Sequence, residues 1–176
     1  THVITADRGR LQLLTQAVRD AGIAVDALVM EPLASGLAAL TNDERDRGTL
    51  LIDIGGGTSD IVAFKDGTVS YTGVVPIGGY QFTNDICHVY NTTYSAAEPV
   101  KIKHASAEAQ AIYSREDVSL PVLGGTTSVQ VPVRDICQLT RERALDLIRL
   151  IKLKVQEASI GEVSMVPVVV TGGTSR

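Results

Sequence analysis

The residues best suited to chemistry lie in one short stretch that begins at Asp53. Three glycines, Gly55 to Gly57, follow it closely, and then come the hydroxyl side chains of Thr58 and Ser59. Glycine has no Cβ, so several backbone N–H groups in such a turn can point at one anion, and the hydroxyls add further donors. A carboxylate at a strand end suits Mg²⁺, which keeps several waters and takes few protein oxygens. The stretch is typical of a phosphate loop, although a glycine-rich turn with capping carboxylates would have the same composition.

Two further glycine pairs follow predicted strands. Gly78 and Gly79 come after a β-rich run, and Gly172 and Gly173 come after residues 166–171, which we expect to form a buried strand. A glycine at a strand end lets the backbone lie close to a flat ligand. Turns alone do not readily account for three glycine clusters that each close a strand, so the three together favour a nucleotide site.

Hydrophobic spacing predicts the elements that must position these loops. Strands are predicted at residues 2–5, 25–30, 49–54, 60–64, 68–76 and 166–171, with a hairpin across 118–133. Helices are predicted at residues 11–21, 31–40, 81–90, 95–110 and 139–158, and a charged surface loop at 41–48. Asp66-Gly67, between two β-rich runs, indicates a tight hairpin turn because both residues tolerate a positive φ. This order predicts a mixed α/β fold and disfavours a plain dinucleotide-binding fold, in which strands and helices alternate steadily.

Composition narrows the classes of function. The chain has 176 residues, 44% of them hydrophobic, and a formal net charge of −4, which argues against nucleic acid as a partner. Cys87 and Cys137 are far apart without a nearby histidine set, so we expect reduced core thiols rather than a zinc site or a disulfide. No apolar run reaches the roughly 18 to 20 residues of a membrane-spanning helix, and we expect the fragment to be cytosolic. Because the chain begins at Thr1 and stops just after a glycine pair, we expect a piece of a longer protein.

At these motifs the sequence resembles a known superfamily. Residues 53–60 are similar to the phosphate-2 loop of the actin, Hsp70 and sugar-kinase superfamily, residues 168–175 to its adenosine loop, and residues 31–36 to its first connecting helix. Five segments together resemble the FtsA family of bacterial cell-division proteins: residues 2–5, 31–35, 76–79, 83–86 and 101–107. The resemblance implies an α/β fold of the ribonuclease H-like actin-type ATPase domain, a mixed sheet with flanking helices.

The resemblance also implies how the chain divides. Residues 1–40 would be the end of domain 1 and the connecting helix, 41–90 the first part of subdomain 2A with the phosphate-2 loop, 91–160 subdomain 2B, and 161–176 the return to 2A with the adenosine loop. The family's phosphate-1 loop and its membrane-binding C-terminal amphipathic helix are not found in the sequence. We therefore expect the fragment alone to bind ATP weakly and not to bind membrane.

ATP and Mg²⁺ are the cofactors that the resemblance implies. Asp53 would hold Mg²⁺ through water, and Glu31 would be the catalytic residue that polarises the attacking water. The other implied nucleotide contacts are Gly55, Gly56, Gly57 and Thr58 at the β- and γ-phosphates, Gly78 and Gly79 at the ribose, Glu98 and Lys101 at the adenosine, and Gly172, Gly173 and Thr174 beside the base.

Two of these assignments have structural alternatives. A glutamate in the first turn of a helix, such as Glu31, is favoured by the helix dipole even without chemistry. Glu98 and Lys101 are three residues apart and would share a helix face, but Ser95 to Glu98 also matches a capping box, in which the glutamate accepts from a backbone N–H.

Arg141 and Arg143 are the partner-binding residues that the resemblance implies. In FtsA-like proteins this part of 2B receives the acidic C-terminal tail of the tubulin-like polymer FtsZ, and the planar guanidinium group suits carboxylates. Glu142 and Asp146 lie among these arginines, and a solvated helix face is the ordinary explanation of such a mixture.

The function implied is that of an ATP-binding, actin-like cell-division protein, at most a slow ATPase. It would polymerise and tether the FtsZ ring to the inner face of the cell membrane at the division site. One alternative is an ATP-binding scaffold like the pilus-assembly protein PilM, and another is an Hsp70-like or sugar-kinase-like ATPase. Residues 101–107 and the helix at 139–158 favour FtsA over the pilus protein by resemblance alone.

Overall fold

The computed structural model describes residues 5–157 and 166–175, which form two sheets and six α-helices. The helices are α1 (Arg8–Asp20), α2 (Glu31–Ala39), α3 (Asn42–Arg47), α4 (Gly79–Tyr90), α5 (Tyr94–His104) and α6 (Val133–Glu157), with a 3₁₀ turn at Ala111–Tyr113. The strands are β1 (Thr49–Ile54), β2 (Ser59–Lys65), β3 (Thr68–Val75), β4 (Asp117–Pro121), β5 (Ser128–Pro132) and β6 (Val168–Thr171). Except for Thr5, the strand predicted at residues 2–5 lies outside the described residues.

The larger sheet has the strand order β3-β2-β1-β6. The first three strands pair antiparallel and form a meander, in keeping with the strands predicted at 49–54, 60–64 and 68–76, and β6 pairs parallel with β1. At the predicted turn between β2 and β3, Asp66 and Gly67 have φ values of 50° and 70°. The predicted β4–β5 hairpin forms the second sheet. These pairings confirm the mixed α/β fold.

Side chains alternate between the two faces of the larger sheet. Leu50 and Ile52 of β1 pack in a cluster with α6, while Leu51 packs in a cluster on the opposite face with the end of α2. This alternation follows from the two-residue repeat of a strand. The sheet is therefore held between α6 on one face and α2 on the other, and α2 is placed beside the end of β1.

One long helix, α6, joins the sheet to the hairpin region. Leu147, Ile151 and Val155 in its second half belong to the cluster under the meander. Ile136 in its first half belongs to a second cluster, built from α4, α5 and the β4–β5 hairpin.

No observation tests the predicted subdomain boundaries, which stay predictions. None of the helices in the two described ranges is both long and apolar enough to cross a membrane.

One strand prediction is wrong and another is wrong in part. Residues 25–30 form no strand, because no described strand pairs with them, and Val29 is 60% exposed. β6 forms, but it is not buried: Val168 and Val170 are each about half exposed. β6 lies at the edge of the sheet with only β1 beside it in the described residues, and its face that carries Val168 and Val170 is half exposed, whereas Val169 packs on the other face.

Two helix predictions also need correction. The charged segment at residues 41–48 is α3 rather than a loop, because Thr41 and Glu44 form a reciprocal capping box at its start. The helix predicted at 95–110 ends at His104, in a last turn whose basic side chains favour a helix C-terminus.

Candidate functional site

The three glycine-rich segments predicted from the sequence meet at one end of the larger sheet. In the turn after β1, the N–H of Gly55 donates to the carbonyl of Thr58 at 2.9 Å. The Gly55 carbonyl accepts from the N–H of Gly79 at 3.0 Å and from Thr174 Oγ1 at 2.9 Å. One carbonyl therefore joins all three segments into a single hydrogen-bonded set.

Two of the glycines are required by close packing inside this set. A Cβ on Gly78 would lie 2.5 Å from the carbonyl oxygen of Gly55 and 2.8 Å from the nitrogen of Gly57. Gly172 has a φ of 96°, and its Cβ would lie 2.6 Å from Asp53 Oδ1. Because real Cβ atoms do not approach so closely, only glycine fits at these two positions.

Three other glycines face open space. A Cβ on Gly56, Gly57 or Gly173 would meet nothing within 4 Å, so packing within the described chain does not require glycine there. Gly173 also lines a cavity of about 550 Å³, together with Val170, Thr171, Gly172 and Ser175. Bare backbone around a cavity of this size can accept a phosphate-bearing small molecule.

Two carboxylates lie side by side at this end of the sheet. Asp53 Oδ2 accepts from Ser35 Oγ at 2.5 Å, and Asp53 is paired across the β1–β2 ladder with Asp60. Burial raises the pKa of Asp60; a hydrogen bond from Thr58 opposes this shift, and the negative charge of Asp53 adds to it. Directly opposed residues share a sheet face, so a cation between these carboxylates would relieve their repulsion.

The carboxylate pair is not a complete metal-ligand set. Within the described ranges, no group of three or more His, Cys, Asp or Glu side chains could hold a metal ion. This geometry suits Mg²⁺, which keeps several waters and borrows ligands from phosphate. Asp60 was not singled out in the sequence as a site residue; only the strand register shows that it lies opposite Asp53.

Glu31 begins α2, one turn before Ser35. Residues four apart share a helix face, so Glu31 lies on the face of α2 from which Ser35 reaches Asp53. The Glu31 side chain is exposed and makes no hydrogen bond or ion pair with any described residue. The helix is seated on the sheet at Gly36, where any Cβ would overlap the ring of Phe64.

Glu98 and Lys101 on α5 reach the second glycine segment. Lys101 Nζ donates to Glu98 Oε2 at 2.8 Å and to the Gly79 carbonyl at 3.3 Å, and Thr83 of α4 donates to the Glu98 carboxylate. Burial raises the pKa of Glu98, but the hydrogen bonds from Lys101 and Thr83 and the Lys101 charge outweigh it and hold that pKa below its usual value. The capping-box alternative is wrong, because α5 begins after Thr93 and the Glu98 carboxylate faces Lys101 and Thr83.

The two arginines predicted to bind a partner, Arg141 and Arg143, lie on α6 and differ in whether another residue of the chain already binds their guanidinium groups. Arg143 donates through Nε and Nη2 to the two carboxylate oxygens of Asp85, both at 2.7 Å, and this hydrogen bonding raises the pKa of Arg143. Arg141 is half-buried and makes no hydrogen bond or ion pair with any described residue. The guanidinium group of Arg143 is therefore occupied within the chain, by a residue that the sequence did not identify.

Comparison with known proteins gives a family match. The family model "Cell division protein FtsA" matches residues 50–175. The cell division protein FtsA of Pseudomonas aeruginosa is 34% identical over 175 residues, which is 99% of this chain and 42% of that protein. FtsA of Neisseria meningitidis is 33% identical over 175 residues, again 99% of this chain and 42% of the relative. The chain thus spans less than half the length of these relatives.

Solved structures agree with the fold. MreB5 of Spiroplasma citri bound to ADP superposes with a TM-score of 0.75 at 20% identity, over 96% of this chain and 54% of that one. The PilM–PilN type IV pilus biogenesis complex gives 0.66 at 22% identity, over 94% of this chain and 41% of the other. At such low identity these likenesses show the actin-type fold alone and do not favour the pilus alternative. The family model covers well over half of the chain, which therefore belongs to the FtsA family of cell division proteins.

Proposed function

We propose that the joined glycine segments bind ATP with Mg²⁺. The observation that carries the proposal is the contrast within the set: Gly55 joins the three segments, whereas the side-chain positions of Gly56, Gly57 and Gly173 open onto empty space. A ligand that must approach the backbone explains glycine at positions where packing does not require it. In this assignment Gly55, Gly56, Gly57 and Thr58 hold the β- and γ-phosphates, Gly78 and Gly79 the ribose, Glu98 and Lys101 the adenosine, and Gly172, Gly173 and Thr174 the base.

The carboxylates of Asp53 and Asp60 form the proposed Mg²⁺ site. Asp53, with Asp60 beside it, holds Mg²⁺ through water, and the ion neutralises phosphate charge when it is bound. Glu31 is exposed, unpaired within the described ranges, and on the face of α2 nearest Asp53, which suits a residue that orients a water. Turnover is slow, because positioning by a single exposed carboxylate is a modest contribution.

We propose for the whole protein the role of a division adaptor: it self-associates into actin-like filaments and tethers the FtsZ ring to the cell membrane at the division site. Membership of the FtsA family supports this role. Residues 41–90 and 161–176 would act as subdomain 2A and residues 91–160 as 2B. Arg141 would receive a carboxylate of the acidic FtsZ tail, and Arg143 would join it only by releasing Asp85.

The test measures ATP binding and hydrolysis by the natural full-length polypeptide that contains these residues. Isothermal titration with ATP and Mg²⁺ is expected to show one saturable site, and Asp53→Asn is expected to remove most of its Mg²⁺ dependence. Glu31→Gln is expected to keep ATP affinity and to lower phosphate release about tenfold or more, since general-base positioning contributes roughly 10²- to 10⁴-fold at most.

The matched control is Glu108→Gln, which changes the same functional group at an exposed position far along the chain. It is expected to leave both readouts unchanged. Absence of saturable ATP binding in the wild-type protein would refute the proposal, and equal hydrolysis by the two glutamine variants would refute the role of Glu31.

A further inference from the structure

Helix α4 connects the glycine site to the rest of the molecule. It begins at Gly79, whose N–H donates to Gly55, and it carries Asp85 roughly 9 Å further along its axis. Two polar side chains of α4 contact neighbouring helices: Thr83 donates to Glu98 on α5, and Asp85 accepts from Arg143 on α6. These two contacts add to the apolar packing of Phe82 and Ile86 that seats α4.

Helix α6 is a rigid support for one of them. Its residues before Arg143 pack in the cluster with α4, α5 and the hairpin, and its residues after Arg143 pack under the larger sheet. Arg143 therefore lies where a single continuous helix passes from one cluster to the other. An arginine at this point fixes α4 relative to the sheet that carries Gly55.

The geometry of the ion pair is stronger than that of an ordinary surface pair. Both Arg143–Asp85 hydrogen bonds are 2.7 Å long, and the side chains are 30% and 21% exposed. On the same helix, Arg149 Nη1 and Asp146 Oδ1 lie at a similar distance, 2.8 Å, but their side chains are 72% and 52% exposed. Two parallel charge-assisted hydrogen bonds with reduced solvent screening resist bending of α4, whereas an exposed pair contributes little.

We propose that the Asp85–Arg143 pair positions Gly79 for nucleotide binding, which makes Arg143 a positioning residue of the nucleotide site rather than primarily a partner contact. The proposal rests on the ATP binding proposed above. It predicts that breaking the pair weakens ATP binding although neither side chain is among the proposed ligand contacts.

The experiment titrates a fluorescent ATP analogue, with competition by ATP, into the natural full-length polypeptide. Asp85→Asn and Arg143→Gln are each expected to lower ATP affinity about five- to tenfold, the lower range of typical coupling between sites. The double variant is expected to lose no more than either single variant, because the two side chains act as one pair. Lys154→Gln and Glu157→Gln, which break an exposed pair further along α6, are expected to change affinity less than about twofold.

Thermal unfolding with and without ATP separates positioning from plain stability. A merely structural pair would lower the unfolding temperature but leave ATP affinity unchanged, and that result overturns the inference, as do additive losses in the double variant. Arg143→Lys keeps the charge but not the two-pronged guanidinium, so it is expected to show an intermediate loss of ATP affinity; wild-type affinity in it also overturns the inference. If the wild-type protein itself binds no ATP, the proposed function fails and the inference fails with it.

Discussion

Replacing Gly78 with alanine is expected to separate the second glycine segment from the first and to destabilise the chain. The backbone of Gly78 is extended, with φ −151° and ψ −164°, so alanine can adopt its conformation without strain. The cost comes from contact: the new Cβ would lie 2.5 Å from the oxygen of Gly55 and 2.8 Å from both the carbonyl carbon of Gly56 and the nitrogen of Gly57.

The magnitude follows from the kind of atoms contacted. Extra methyl groups in well-packed sites cost about 1–3 kcal/mol, and the upper end applies here because backbone atoms cannot rotate away. For a chain of this size, each kcal/mol lowers the unfolding temperature by roughly 2–4 °C, so Gly78→Ala is expected to lower it by roughly 6–12 °C. Far-UV circular dichroism during heating measures the change in the 176-residue chain.

Gly57→Ala is the matched control, because its Cβ meets nothing within 4 Å. It is expected to shift the unfolding temperature by less than roughly 2 °C, the usual range of a surface substitution, and to weaken ATP binding in the full-length polypeptide, since the methyl group enters the proposed phosphate space. Equal unfolding temperatures for the two variants would refute the described packing of the loops. If Gly57→Ala lowered the unfolding temperature as much as Gly78→Ala, it would refute the conclusion that the side-chain position of Gly57 opens onto empty space.

Two further predictions concern pH and charge. The folded pKa of Glu98 lies below its ordinary value of 4.5, so the stability that the ionised carboxylate contributes is present above that value and lost as pH falls through the folded pKa. Glu98→Gln is expected to flatten the loss of unfolding free energy in acid, measured by urea unfolding across pH, and an unchanged acid slope would contradict the Lys101 and Thr83 contacts. The folded pKa of Asp60 is raised, so the stability that its protonated form contributes is lost as pH rises through that pKa. The Asp60→Asn variant is therefore expected to have a slightly higher unfolding free energy at neutral pH and a weaker Mg²⁺ dependence of ATP binding. A lower unfolding free energy at neutral pH would contradict the argument that burial disfavours the ionised carboxylate.

Local chemistry made the meander and the hairpin predictable. Short apolar and β-rich runs and the Asp66-Gly67 turn carry their information within a few positions, and the structure confirms both. Residues 25–30 have a similar apolar character, but a strand exists only where another strand pairs with it, and no described strand does. The exposure of β6 likewise depends on what lies beside it in the sheet rather than on its own valines.

The sequence by itself determined the glycine segments, the family they indicate and the candidate ligands around them, because these depend on residue type and short spacing. Only the tertiary structure decided which of those residues touch. Thr174 donates to Gly55 across 119 positions of the chain, and Arg143 to Asp85 across 58. Contacts over such separations are set by how helices pack on the sheet, and neither the opposed carboxylates of Asp53 and Asp60 nor the occupied guanidinium of Arg143 has a signature in local sequence.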